Sequence, residues 1–462
     1  MSPSQVHAPP ISFVGRCQGP VTSDGCVPFL GPKPATSSAR SCSEKVLEPF
    51  ACPSDAAWER EAKSQKSRSR PDKLASFNLS DFKLDEQIGE GSFAEVYSAH
   101  MKLGEQHGGA SNRVALKVAK SAEQLGPPPA PMSCCGCAMR RRALHRAALA
   151  AVPAPGAPDA CVGAGLTPES EVTYDDVLYA VRQEADIIQR LGRHPNIVHV
   201  LGAARKRTIL VMQLAVTDLN QLVRRARQQG QPLPLSSVRT WSRDILAGVA
   251  HVHAMGTVHM DVKSGNVLID ARGNAVLTDF GLAILGSGRM EVDRELMTLW
   301  YRAPELLMGR TTFRSNVDSW GAGCVVLEML LGAPPFRGDP DMVCRCASVL
   351  HANYNSDQLQ RIFKVVGTPP PADLDGCHTV EHFGAWEPQP RVLEHLIAAE
   401  RSPCPPAGSD AARTLRGLAD LVAALLQLVP ERRLSPEEAL AAPVMQQPQG
   451  AAQAAPAPAH RP

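Results

Sequence analysis

The chain has 462 residues and nearly balanced charge, 48 Lys and Arg against 46 Asp and Glu, for a net +2. That balance sets up no general field for nucleic acid or an anionic membrane surface, and no run of ~18 or more uncharged apolar residues suggests a membrane span. Forty prolines and 35 glycines beside 5% aromatics point to Pro- and Ala-rich linkers diluting a core large enough for two lobes. The 13 cysteines lack framework spacing and follow no hydrophobic leader, so they read as reduced intracellular thiols.

Residues 1–80 show no sustained period and many Pro, Gly and Ser, and are expected to be a disordered N-terminal extension. Its start is Ser-rich and acid-poor, as transit peptides are, but has no Arg-rich amphipathic helix. The expected compartment is the cytoplasm or nucleus, with an organelle transit peptide left open. The first ordered segment is "FKLDEQIGEGSFAEVYSAHM", in which alternation on both sides of Gly89 and Gly91 predicts a hairpin with a glycine-rich turn. Glycine there lets backbone N–H groups approach phosphate without a Cβ in the way. A dinucleotide fold would need a helix straight after the turn, and the segment that follows is strand-like.

"RVALKVAK" (113–120) reads as an alternating strand with Lys117 in its middle, 26 residues after Gly91. A lysine on a buried strand face is costly without a partner. Residues 121–171 are a low-complexity insertion, too long for an ordinary loop inside a domain. Its Cys134, Cys135, Cys137 and His145 lack the paired spacing of zinc modules, so a metal-free insert is expected. Beyond it, Val177, Leu178, Val181, Ile187, Ile188 and Leu191 recur near a 3.6 period, which predicts a helix ending at Pro195, with Glu184 near the edge of its buried face and within reach of Lys117. A lower-lobe insert is expected at 340–410 and a disordered tail at 446–462.

The chemical end begins at "VHMDVKSGNVLID" (258–270). Asp261 is placed to accept a proton from an attacking hydroxyl, and the amide oxygen of Asn266 suits a hard cation. Asp279 opens "DFG" 13 residues after Asn266, and carboxylate and amide oxygens together suit Mg²⁺ beside phosphate. "TLWYRAPE" (298–305), "DSWGAG" (318–323) and "ERRLSPEEAL" (431–440) follow in order.

This series resembles the eukaryotic protein kinases over residues 82–445, interrupted by the insertion. The resemblance implies an α+β, bilobal fold, with a β-rich N-terminal lobe carrying one main helix and a larger helical C-terminal lobe. It implies ATP and Mg²⁺ as cofactors and protein substrates as partners, with no nucleic acid or membrane role; a regulatory protein partner is not identifiable. It assigns Ile88, Gly89, Gly91, Val96, Ala115, Met212, Gln213, Ala215 and Leu268 to the nucleotide pocket, with Met212 as gatekeeper and Gln213 and Ala215 as the hinge. Lys117 would hold the α- and β-phosphates, oriented by Glu184. Asp261 would be the base, Lys263 would steady the γ-phosphate, and Asn266 and Asp279 would bind Mg²⁺. Val200, Ile188, Phe280 and His259 resemble the stacked spine of the active form, and Glu305 is expected to pair with Arg433.

Lys263 two residues after Asp261, with Thr298 to bond both, resembles the serine/threonine type. "TLWYRAPELLMG" and "IFKVVGTPP" (362–370) resemble the cyclin-dependent, MAP and related kinases, the CMGC group, in which Arg302 helps shape a site that tolerates Pro after the phosphoacceptor. The helix around Glu184 lacks the cyclin-binding signature of that group. Met260 stands where many kinases carry an Arg that receives the activating phosphate, and Met has neither charge nor donor. Asp293 occupies the usual phosphosite, five residues before Thr298, and Ser287 is the remaining candidate phosphosite. The expectation is a kinase that is independent of phosphorylation at that position. The alternative is a pseudokinase scaffold, suggested by Met260, Ala94, the Ser264-Gly265 pair and the insertion.

Overall fold

The computed structural model describes residues 74–91, 94–102, 113–121, 174–286, 298–308, 314–338, 352–370, 373 and 388–446. The expectations for the Cys-rich insertion, for Ser287 and Asp293, and for most of the N-terminal extension and tail lie outside the described residues.

The N-terminal part is a twisted sheet. Its strands are β1 (Ala75–Phe77), β2 (Phe82–Glu90), β3 (Ala94–Met101) and β4 (Arg113–Ala119). After helix α1 (Tyr174–Leu191) come β5 (Val200–Ala204) and β6 (Ile209–Gln213). The spatial order is β1-β5-β6-β4-β3-β2, antiparallel throughout except for β1 alongside β5. The β2–β3 hairpin pairs Gly89 with Val96, and the Gly91 N–H donates to the Ala94 carbonyl at 2.8 Å.

Three expectations change here. Strand β1 at Ala75–Phe77 lies within the segment expected to be disordered, and the turn Leu79–Asp81 begins there. Strand β1 is admitted by Gly202, where a Cβ would stand 2.3 Å from the Ala75 carbonyl oxygen. Phe77 also meets Phe82 edge-on, with ring centroids 5.6 Å apart. Strand β4 does not alternate apolar with polar, because both faces of its first half are covered. Val114 and Leu116 join a small outer cluster with Phe82, Ala99, Ile209 and Val211, while Ala115 faces the main core. Helix α1 ends at Gly192, with φ +68°, three residues before Pro195; the left-handed position that glycine tolerates stops the helix first.

The C-terminal part is helical: β7 (Thr217–Asp218), α2 (Leu219–Gln228), α3 (Leu235–Ala254), then β8 (Thr257–Val258), β9 (Val267–Ile269), β10 (Ala275–Leu277) and β11 (Ile284–Leu285). Helices α4 (Pro304–Leu307), α5 (Asn316–Leu331), α6 (Ala352–Val366), α7 (Leu393–Glu400), α8 (Asp410–Leu425), α9 (Pro436–Leu440) and α10 (Pro443–Gln446) complete it. Helix α10 buries Val444 and Met445 and ends at Gln446, the first residue of the expected tail.

Helix α5 is the hub. Every residue from Val317 to Leu330 is buried, which is why its sequence is apolar on all sides and shows no polar face. The Asp318 and Glu328 carboxylates are the acidic exceptions within it, and both are turned toward the loop described below.

The expected lower-lobe ion pair forms. Arg433 meets Glu305 through two bonds of 2.9 Å, both side chains are almost fully buried, and the guanidinium lies 5.2 Å from the centre of the Trp320 ring. Arg433→Ala would leave Glu305 charged and unpaired in the core. The expected cost is about 3–5 kcal/mol, measured by chemical denaturation of the full chain.

Candidate active site

Two polar constellations form where the sheet and the helices meet. The first is built on Lys117. Its place in the middle of β4 puts the ammonium beside α1, where Nζ stands 2.6 Å from Glu184 Oε2 and 2.8 Å from Asp279 Oδ1. Glu184 is fully enclosed, not at the edge of the helix face, and Oε1 also accepts the Phe280 N–H at 3.3 Å. Burial alone would lower the Lys117 pKa, but Asp279 and Glu184 more than offset it and raise the pKa. The Lys117 ammonium holds the Asp279 carboxyl down at about 2. Burial pushes the Glu184 carboxyl up, and Lys117 opposes that shift. Lysine therefore stays a cation and Asp279 an anion across the neutral range.

Asp279 adopts the left-handed conformation, φ +63°, which turns the chain so that Phe280 enters the core beside His259, ring centroids 4.7 Å apart. Val200, Ile188, His259 and Phe280 are all buried, and the three apolar members share the main hydrophobic cluster. One short backbone turn thus places a carboxylate at the phosphate end and an aromatic ring in the interior.

The second constellation is built on Asp261. Its Oδ2 accepts from Lys263 Nζ at 2.6 Å and from the Asn266 amide at 2.9 Å; Oδ1 accepts from the Thr298 hydroxyl at 2.8 Å. Lys263 also donates to the Thr298 hydroxyl, at 2.8 Å. The Asn266 amide nitrogen is committed to Asp261, its carbonyl as well as its carboxylate, so its amide oxygen is the atom left for a cation. Among the described residues no cluster of three or more His, Cys, Asp or Glu could hold a metal unaided. Two oxygen ligands plus phosphate oxygens is the arrangement Mg²⁺ accepts, so Asn266 and Asp279 fit that ion.

The loop carrying Asp261 is held from below. Asp318 accepts the His259 N–H at 2.7 Å, the Met260 N–H at 2.9 Å and a ring nitrogen of His253 at 2.8 Å. Gly321 lets α5 touch the loop, since a Cβ there would lie 2.8 Å from the Val262 carbonyl oxygen. Met260, at φ +69°, sinks its side chain into the main core. The sequence reading quoted "DSWGAG" without giving Asp318 this task. Two backbone N–H groups with no strand partner were the missing signal.

Of the residues expected to line a nucleotide pocket, Ile88, Gly89, Val96, Ala115, Met212, Gln213 and Leu268 lie on strands, and Gly91 and Ala215 lie in connections. Val96 pairs in register with Lys117, and Ala115 with Met212. Leu268 on β9 packs against the main cluster. Of the large apolar side chains described, Leu84, Ile88 and Val216 are exposed. Ile88 leads into the glycine turn, and Val216 follows Ala215 in the connection after β6.

Residues 168–445 match the family described as protein kinase domain. The chain belongs to the protein kinase family. It is a serine/threonine kinase of the CMGC type. It is 30% identical over 268 residues to a putative cyclin-dependent kinase F-2 of Oryza sativa subsp. japonica, covering 56% of this chain and 74% of that protein. It is 32% identical to cyclin-dependent kinase 7 of Xenopus laevis, covering 53% and 63%. Cyclin-dependent kinase 14 of Mus musculus is 28% identical over 358 residues, covering 77% and 59%. The family match begins beyond Gly89 and Lys117, yet strands β2 to β4 join β6 in register and bring Lys117 to Glu184. Family membership implies ATP and Mg²⁺ in general, and the scaffold alternative finds no support. No described helix is long and apolar enough to cross a membrane.

Proposed function

We propose that this kinase transfers the γ-phosphoryl group of ATP to Ser or Thr followed by Pro, without needing phosphorylation at the usual activation-segment position. The observation that carries the reading is the pair of complete constellations, Lys117–Glu184–Asp279 and Asp261–Lys263–Thr298, joined through Asn266 and the Asp279–Phe280 turn.

In this reading Lys117 binds the α- and β-phosphates as a cation, and Glu184 keeps it from collapsing onto Asp279 alone. Ile88, Val96, Ala115, Met212 and Leu268 enclose the adenine, Gln213 and Ala215 offer backbone hydrogen bonds, and Gly89 and Gly91 close over the phosphates. Mg²⁺, when bound, would offset the charge that builds up on the phosphate oxygens. Asn266 and Asp279 offer it oxygens. Lys263 and Thr298 hold the Asp261 carboxylate in one orientation, so that it meets the acceptor hydroxyl and takes its proton. Pinning the base is worth more than strengthening it, because phosphoryl transfer depends chiefly on position and charge.

Two features support the finer claims. Arg302 directly follows the Leu299–Tyr301 turn, in the segment bonded to the base, and its side chain is buried where it can shape the neighbouring substrate position. Met260 fills a core position with an apolar side chain, so the loop that carries the base is fixed by packing and by Asp318, with no cation there to receive a phosphate. The relatives' names imply cyclin-type regulation for those proteins. Here α1 brings Glu184 to Lys117 within the chain itself, which favours control that does not consist of delivering that helix.

Asp261→Asn is expected to lower turnover by roughly 10²–10⁴-fold, the usual contribution of a positioned base, measured as phosphate transfer to protein. Equal turnover would count against this mechanism. On an oriented peptide array, Pro directly after the acceptor should be selected; indifference at that position would remove the proline-directed claim. Phosphatase treatment of purified active enzyme should leave its rate unchanged. A collapse that maps to residues 280–300 would refute independence from that modification.

A further inference from the structure

Glu328, on α5, is fully buried, and among the described residues no Lys or Arg pairs with it. A carboxylate in that position is expensive unless hydroxyls or amides satisfy it. Two hydroxyls do. Ser264 Oγ donates to Oε1 at 2.9 Å and Tyr301 Oη donates to Oε2 at 2.7 Å, while the two hydroxyls lie 3.1 Å from each other. Burial pushes the Glu328 carboxyl up to about 7 even though both hydroxyls pull it down. Replacing the trio with apolar side chains would be the cheaper way to fill a core. Its presence needs a reason other than stability.

The reason lies in what the trio joins. Ser264 is the residue after Lys263 on the catalytic loop, in the position of the unusual Ser264-Gly265 pair. Tyr301 stands three residues after Thr298 and one before Arg302. The loop and the substrate-side segment are therefore tied twice. One tie is at the surface of the cleft, through Asp261, Lys263 and Thr298; the other is in the core, through Ser264, Glu328 and Tyr301.

The contacts also follow the helix in order. Asp318 holds His259 and Met260, Gly321 touches Val262, and Glu328 holds Ser264. Ten residues of helix span about 15 Å. Five residues of loop reach about 17 Å when extended. The loop runs along α5, bonded to a carboxylate near each end.

We propose that Ser264, Tyr301 and Glu328 form a buried clasp that positions the protein-substrate platform around Thr298 and Arg302 against the catalytic base. They are positioning residues: none touches substrate or nucleotide. The clasp rests on the kinase chemistry of the site but not on any preference for Pro.

The test uses the full chain and the peptide that wild type phosphorylates best on the array, whatever its sequence. Ser264→Ala and Tyr301→Phe are each expected to lower kcat/KM for that peptide by about 10- to 100-fold, the cost of a small misplacement of reacting groups. The KM for ATP should stay within about twofold, since Lys117 and Glu184 are untouched, and the double variant should be no worse than the worse single, because both break one clasp. Tyr301→Phe removes a single oxygen and carries the test if Ser264→Ala melts below the assay temperature.

The proposal is overturned if folded variants keep peptide kcat/KM within about twofold of wild type, or if the losses multiply in the double variant. It is also overturned if KM for ATP rises in step with the peptide loss, or if both single variants fail to fold, which would make the trio purely structural. Absence of transfer by wild type would count against the kinase reading and not the clasp.

Discussion

The active site rests on one buried helix. Helix α5 carries no exposed stripe, so its polar groups have to be satisfied inside the molecule, and the loop holding Asp261 is what satisfies them. Asp318 takes two loop N–H groups that no strand could pair. Gly321 allows a backbone contact that any side chain would block. The arrangement turns a loop, ordinarily the softest kind of element, into part of the core. This is how the Asp261 carboxylate is held in place without belonging to a helix or strand.

Lys117 does the corresponding work across the junction. One cation serves two carboxylates whose positions in the chain lie 67 and 162 residues away. Glu184 is buried and would be costly alone; Asp279 faces the cleft and keeps its charge because Lys117 is beside it. Moving α1 away would strand Glu184, and turning Phe280 out of the core would remove both the His259 contact and the N–H that Glu184 accepts. Helix position, the Asp279–Phe280 turn and lysine charge are therefore parts of one equilibrium. An influence on any of the three reaches the others through contacts of 2.6–3.3 Å.

Much of this was legible in the chain. The glycine turn, the strand with Lys117, the helix with Glu184 and the Asp261, Lys263, Asn266, Asp279 series are local patterns, and their order is what made the family resemblance specific. The misreadings were also local. Gly192 ended α1 before Pro195, because a left-handed glycine stops a helix more directly than a later proline. Strand β1 was hidden in a Pro- and Ser-rich stretch, because a three-residue edge strand has too few residues to show a period and depends on Gly202, more than a hundred positions away.

The sequence by itself determined which chemical groups are available and in what order. It also showed that Met260 removes a charge from the loop, since identity and spacing are properties of the chain. Only the tertiary structure decided what those groups are attached to. That Met260 is a core residue, that Asp318 carries the loop and that Ser264 meets Tyr301 across Glu328 are facts about segments tens of residues apart. No local pattern encodes them, because a buried carboxylate is satisfied by whichever donors the fold brings to it.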